Sequence, residues 1–349
     1  MNKNNLFLCV GPTTKNAINI VSDYALKNKF HISLITTRNQ IETNSLGKGY
    51  VNNFNTDTFV KFITNKKNKY LSLSRDHCGP YIKNTNNLSL REEINITKKV
   101  IEDDIKNNFK FLHLDVAECP SKKKIDILNE LIEFSSEVKK KLAKKTKLEI
   151  GHERHGYKSS YDQCKKNLSN IDLTNVEFYA LGTGSYVKEN FQKGSFNYLE
   201  CKKISDYLNK KNILIKDHNA DYLNIDSIYT RLINGVGALN IQPNIAYVEN
   251  TIILNMTKKF LKYKNYIQLI NEVDKEGSWK KWTTKKHNKE LKFLLAGHYI
   301  QNTEIYKNTF RILKERYDVD KLIKNNIHIV LNKYKYTYDS LYTKRRTRN

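Results

Sequence analysis

Cysteine is scarce and scattered in this chain of 349 residues: Cys9, Cys78, Cys119, Cys164 and Cys201 form an odd set with no CxxC pair. Such a set suggests neither a disulfide framework nor a zinc ribbon, so a reducing, cytoplasmic setting is expected. Long apolar runs are missing as well. Leu6–Val10 is too short for a signal-peptide core, and no stretch approaches the roughly 20 residues that cross a bilayer, so no membrane association is expected. A Walker motif, a kinase signature set and a GxSxG elbow are all absent, which leaves phosphoryl transfer and serine hydrolysis without support. No Gly-rich fingerprint follows the first apolar run, and this argues against a doubly wound dinucleotide fold.

Acidic residues are outnumbered, 36 against 61 Lys and Arg, for a formal charge of +25. Only ten of the 61 are Arg, and the lysines are spread through every segment among Asn and Ile rather than gathered on one element. The runs Lys139–Lys147, Lys280–Lys286 and Lys344–Arg348 read as solvated helix faces and a frayed tail. No nucleic-acid partner is therefore expected; a positive field suits small anionic substrates such as sugar phosphates equally well. Hydrophobic residues make up 39%, mean hydropathy is -0.66, and 22 Tyr with 14 Phe argue for a folded protein.

What is present is rhythm. Short apolar runs recur at Leu6–Val10, Ile32–Ile35, Tyr70–Leu73, Phe111–Leu114, Leu148–Ile150, Glu177–Leu181, Ile213–Ile215 and Val236–Ile241. Helical spacing fills the segments between them, at Ala17–Lys27, Asp57–Thr64, Leu90–Lys106, Ile125–Leu142 and Ile225–Leu232. Eight strands alternating with helices predict an α/β fold, a (β/α)8 TIM barrel over residues 1–250. From residue 251 to 349 helical periodicity takes over, which predicts a C-terminal helical appendage. Its GSWKKW turn, with Trp279 and Trp282, is expected to pack the appendage onto the barrel. Two long connections, Ile41–Asn55 and His155–Asn170, are lid candidates.

Chemically capable residues follow nearly every run, as expected where strands converge on one face. The stretch Tyr70–Tyr81, YLSLSRDHCGPY, is the sharpest of them: a strand runs into Arg75, Asp76 and His77 and breaks on Gly79-Pro80. An imidazole next to a carboxylate can place a Lewis acid and a proton carrier within one substrate's reach. His77, Glu153 and His218 end the third, fifth and seventh candidate strands, so a closed barrel could turn them into ligands of a divalent metal such as zinc. A metal-free pocket of hydrogen-bonding residues is the other reading, since no HxH or HExxH spacing occurs. Asp76 and Asp115 are the candidate catalytic residues, with Gln40, Arg75, Asp221, Asn240 and Gln242 as candidate substrate contacts. Gly182, Thr183, Gly184 and Ser185 after the sixth run, and Asn234-Gly235 through Gln242 around the eighth, suit a phosphate. His152 and His155 could replace Glu153, His113 reads as core, and His287, His298 and His328 read as structural.

Several of these pieces occur together in a known order. ITTRNQIETNSLGKGYVNNFNTDTF, SRDHCGP, HLDVAE, IGHE, KDHNADYL and ALNIQPNIAY, over about residues 5 to 250, resemble the GatZ/KbaZ-like family, the non-catalytic subunit of class II tagatose-bisphosphate aldolase. The resemblance implies a TIM barrel related to the zinc-dependent aldolases, with Asp76 and His77 matching their Asp-His pair and His218 their later zinc ligand. A further zinc-binding histidine, which the relatives place after the sixth strand, has no counterpart here, where LGTGS stands at 181–185. Two functions follow as expectations. One is an aldolase-like lyase acting on a phosphorylated ketose; the other is an accessory subunit, alone or as a homo-oligomer, that stabilises a catalytic aldolase chain.

Overall fold

Ten strands and the helices between them are described by the computed structural model, which covers residues 7–82, 88–151, 156 and 158–346. The strands are β1 (Phe7–Val10), β2 (Ile32–Thr36), β3 (Leu71–Cys78), β4 (Phe111–Asp115) and β5 (Lys147–Gly151). They continue with β6 (Val176–Ala180), β7 (Ser185–Lys188), β8 (Phe191–Gly194), β9 (Leu214–Asp217) and β10 (Val236–Ile241). Eight of them close into a barrel in the order β1-β10-β9-β6-β5-β4-β3-β2, and β7-β8 form a separate antiparallel hairpin. Closure is direct, because β1 pairs parallel with β10 from Phe7↔Ala238 to Val10↔Ile241. The eight runs predicted as barrel strands are these eight, and the fold is a (β/α)8 barrel followed by C-terminal helices.

Each of the eight barrel strands has one face against the barrel interior and one against the helices, which is why its sequence is a short apolar run. The crossovers begin on side-chain caps. Thr14 Oγ1 accepts the Ala17 amide ahead of helix Lys15–Lys27, and Ser89 with Glu92 forms a capping box ahead of helix Leu90–Lys106. Lys139–Lys141 occupy the last turn of helix Lys124–Lys141, where the dipole favours cations.

Alternation along the strands sorts the barrel interior into layers. Phe7, Phe111, Phe178, Leu214 and Ala238, from five strands, plug the amino-terminal end, with ring centroids 5.0–5.6 Å apart in edge-to-face contact. Two residues further along the same strands come Cys9, His113, Lys216 and Asn240, and two further still Asp115, His218 and Gln242. The apolar plug closes one end, so the polar layers open toward the other.

The C-terminal helices buttress this barrel. Helix Pro243–Phe260 leads out of β10, and Tyr263–Glu276, Lys289–Ala296, Glu304–Arg316 and Val319–Arg346 follow. Tyr334 Oη donates to Ala220 O at 2.5 Å and Tyr338 Oη to Phe7 O at 2.8 Å, so the last helix is tied to the loop after β9 and to the start of β1. Of the two lid candidates, 41–55 is a packed loop with Ile41, Val51 and Phe54 buried, and Asn302 Nδ2 donates to its Tyr50 O at 2.7 Å. The second holds helix Tyr161–Leu168, a crossover whose short amphipathic repeat was hidden among polar residues. The β7-β8 hairpin was not foreseen either. Its strands are four residues long and carry little apolar pattern.

Candidate metal centre at the barrel mouth

Asp76 and His77 are neighbours in sequence, and a regular strand would turn them to opposite faces. The backbone of β3 avoids this. His77 takes a left-handed φ of 49°, and the register with β4 shifts between Arg75 and Cys78, a bulge that keeps both side chains at the mouth. Immediately afterwards the chain runs so close to β4 that a Cβ on Gly79 would stand 1.6 Å from Asp115 O. Glycine is what lets the end of β3 rest against Asp115.

Four side chains converge there: Asp76, His77, His113 and His218, each offering one ligand atom, with all four atoms within 4.8 Å of one another. The Asp76 carboxylate stands 3.5 Å from His113 Nδ1, 3.6 Å from His218 Nδ1 and 3.7 Å from His77 Nε2. The ligand-to-ligand edge of a tetrahedral zinc site is about 3.3 Å, so the spacing suits a small divalent cation. Asp76 Oδ1 and His113 Nε2 are buried with no hydrogen-bond partner. A buried carboxylate oxygen left alone among imidazoles asks for a cation.

The outer nitrogens of two of the imidazoles are held by carboxylates, the arrangement that orients metal-bound histidines. His77 Nδ1 meets Asp115 Oδ2 at 2.6 Å, while Asp115 Oδ1 accepts the Ala117 amide at 2.8 Å. His218 Nε2 meets Glu149 Oε1 at 2.5 Å, and the other Glu149 oxygen takes Lys216 Nζ at 2.5 Å. Glu149 is fully buried, directly opposite His113 in the β4-β5 register. His77 and His218 are thereby left with their inner nitrogens facing Asp76.

Charge in the cluster is unbalanced toward the carboxylates. Burial resists protonation of His77, yet Asp76 and Asp115 push its imidazole up to about 10. Burial also works against ionisation of Asp76 and Asp115, but His77 and His218 hold Asp76 well below the usual carboxylate range, and the bond to His77 brings Asp115 to about 2. Burial pushes His218 down against the pull of Glu149 and Asp76. A proton on His77 does the work that a divalent cation would do in its place.

The cluster lies in a cavity of about 220 Å³ that is also lined by Gly182, Ser185, Asn219, Asp221, Asn240, Gln242 and Trp282. Asp76, His77, Asp115 and His218 come together as the sequence predicted. Glu153 lies outside the described residues, and so do His152 and His155. Gly182, Asp221, Asn240 and Gln242 reach the cavity wall, and Gly184, at φ 88°, opens the hairpin beside it. Burial pushes the Asp221 carboxyl up to about 7, against two amides donated by Gln242 and Asn244.

Two expected substrate contacts are not brought to the cavity. Arg75 alternates outward from Asp76 and forms a two-pronged pair with Asp104 of helix Leu90–Lys106. Gln40 bonds Pro12 O at 2.6 Å and the Thr37 amide at 2.7 Å, tying two loops together. His113, read as core, is the member of the cluster that the sequence reading missed. The signal was available in strand parity: Phe111, His113 and Asp115 share one face, and Asp115 had already been placed at the mouth. Glu149 was missed for lack of any such anchor. Trp282, expected to pack the appendage, also walls the cavity.

Changing Glu149 to Gln tests the supporting layer. Metal affinity should fall about 10- to 100-fold, the usual effect of losing such a partner. Competition with a chelator measures it, and unchanged affinity would separate Glu149 from the centre.

Comparison with known proteins places the fold. No protein-family model matches the chain, and no curated protein matches it. Among solved structures it is similar to a probable tagatose 6 phosphate kinase from Sinorhizobium meliloti 1021, at 13% identity and TM-score 0.77, over 95% of this chain and 99% of that one. It is also similar to the YdjI aldolase from Escherichia coli K12, at 13% identity and TM-score 0.51, over 91% and 94% of the two chains. Fructose-bisphosphate aldolase from Campylobacter jejuni gives 14% identity and TM-score 0.52 over 91% of each chain. At these identities the likeness establishes a shared barrel architecture, and the first of them extends it through the C-terminal helices. Among the described residues no helix is long and apolar enough to cross a membrane.

Proposed function

We propose that this chain is a metal-dependent, class II-type aldol lyase acting on a phosphorylated ketose. The observation that carries the reading is the convergence of three imidazoles on the Asp76 carboxylate at the barrel mouth. His77, His113 and His218 would hold the ion, so the set reaches three imidazoles although this chain lacks the sixth-strand histidine of the aldolase pattern. When bound, a divalent metal polarises the substrate carbonyl and stabilises the negative charge of the enediolate.

The protein's own groups supply the rest. Asp76 takes the proton from the hydroxyl beside the carbon–carbon bond that breaks. That hydroxyl oxygen becomes the carbonyl of one product, and the bonding pair remains with the other product as its enediolate, which regains a proton to give the second carbonyl compound. Asp115 keeps His77 in one orientation. The Gly182–Gly184 turn, with Lys158 bridged across it to Thr183, is the candidate phosphate end of the substrate. Five dispersed, buried cysteines with no CxxC pair suit a reducing, cytoplasmic setting.

The accessory-subunit reading keeps one observation in its favour, the loss of the sixth-strand histidine at LGTGS. Metal analysis of the purified chain, with retro-aldol assays on ketose phosphates alone and beside a catalytic aldolase chain, decides between the two. Stoichiometric metal with turnover by the isolated chain is the expected result. Metal-free protein that is inactive alone but raises a partner's activity or stability would establish the accessory role.

A further inference from the structure

Barrels commonly seat a phosphate on the amides at the start of the helix after the last strand, where the dipole favours an anion. Here that seat is already filled. The amides of Gln242 and Asn244, at the start of helix Pro243–Phe260, both donate to Asp221 Oδ1 at 2.9 Å, and Asp221 is 2% exposed. Beside it Asn240 lines the same wall, its side chain buried. A hydroxyl can both donate to and accept from such carboxyl and amide groups, whereas a phosphate needs the amides that Asp221 already occupies.

The neighbouring cations are committed elsewhere. Arg231 places Nε on Asp217 at 2.8 Å and Nη2 on Ser185 Oγ at 2.6 Å, and Lys216 is paired with Glu149. No lysine or arginine lines the cavity among the described residues. Trp282 lines the same cavity, and an indole offers an apolar surface against which the C–H face of a sugar can lie. That wall is fixed: Glu189 of the hairpin accepts Thr283 Oγ1 at 2.8 Å and Lys285 Nζ at 2.9 Å, just beyond Trp282. Gln192 Nε2 donates to Asn219 O and Asp221 O, both at 2.6 Å, and holds the loop after His218 in place.

We propose that the side of the cavity framed by Asp221, Asn240, Gln242 and Trp282 receives an uncharged, hydroxylated end of the sugar and excludes phosphate. The substrate is then a ketose monophosphate, with its phosphate on the far side of His218. The choice of sugar rests on the aldolase reading; the exclusion of phosphate rests on this side of the cavity alone.

Calorimetric titration of the full chain with D-tagatose 6-phosphate, D-tagatose 1,6-bisphosphate and inorganic phosphate tests it. The monophosphate should bind at least about tenfold more tightly than the bisphosphate, a gap of about 1.4 kcal/mol. Asp221→Asn, which keeps an acceptor oxygen for the two amides, should narrow that gap. Trp282→Ala should weaken the monophosphate about tenfold, with Trp282→Phe recovering most of the loss. Bisphosphate binding as tight as monophosphate, no binding of the monophosphate, or an unaffected Trp282→Ala variant would each overturn the proposal. If the binding order holds but no ketose is cleaved, the lyase reading fails and this subsite stands. Cleavage with preference for the bisphosphate has the opposite meaning.

Discussion

In the metal-dependent lyase proposed above, replacing His77 with alanine is expected to abolish binding of the divalent metal and to lower retro-aldol turnover on the order of a thousandfold. A Lewis acid at the carbonyl contributes several kcal/mol to the transition state, and each 1.36 kcal/mol is about tenfold in rate. His113→Ala should do the same. This is the sharper half of the test, because a buried core histidine would affect stability and leave metal content intact. Here His113 Nδ1 faces Asp76 at 3.5 Å, and its ring centroid lies 4.7 Å from that of His218 and 5.1 Å from that of His77. Metal content by elemental analysis and turnover on a ketose phosphate are the measurements. A His113→Ala variant that keeps both would return that residue to the core and leave the centre with two imidazoles.

The barrel was legible because each of its strands is short and apolar, with one face to the barrel interior and one to the helices, so eight runs such as Ile32–Ile35 and Val236–Ile241 stand out against polar helices. The site was legible only as far as chain position carries it. His77 and His218 end their strands in recognisable motifs, and closing the sheet brings them together. His113 needed one further step, the parity of β4, and Glu149 needed the register of β5 against β4, which no local pattern encodes. Arg75 was misread for the same reason: adjacency to Asp76 suggested the mouth, while alternation sends it to the helices. The β7-β8 hairpin and the wall formed by Trp282 depend on contacts about 90 residues apart, such as Glu189 with Thr283. Sequence periodicity is silent at that range.

Arg75→Ala is expected to destabilise the fold by about 3–5 kcal/mol without removing the metal, since breaking a buried ion pair leaves its partner's charge uncompensated. Arg75 is fully buried, with Nε on Asp104 Oδ2 at 2.7 Å, Nη2 on Asp104 Oδ1 at 2.8 Å and Nη1 on Ile41 O at 2.7 Å. Its guanidinium also lies over the Phe109 ring at 5.3 Å. One side chain thus ties β3, helix Leu90–Lys106 and the loop after β2. Burial already holds the Asp104 carboxyl above its ordinary range with Arg75 beside it, and removing the cation raises it further. The folded variant then binds more protons than the unfolded chain, so its stability falls as pH rises through the interval between the unfolded and folded pKa of Asp104. The deficit against wild type should accordingly be largest near neutral pH and shrink on acidification. Replacing both partners with apolar residues, Arg75→Met with Asp104→Leu, should recover most of the loss. Denaturant unfolding at several pH values, with metal content measured in parallel, gives the answer. A loss below about 1 kcal/mol would make this pair an ordinary contact rather than the clamp behind the mouth.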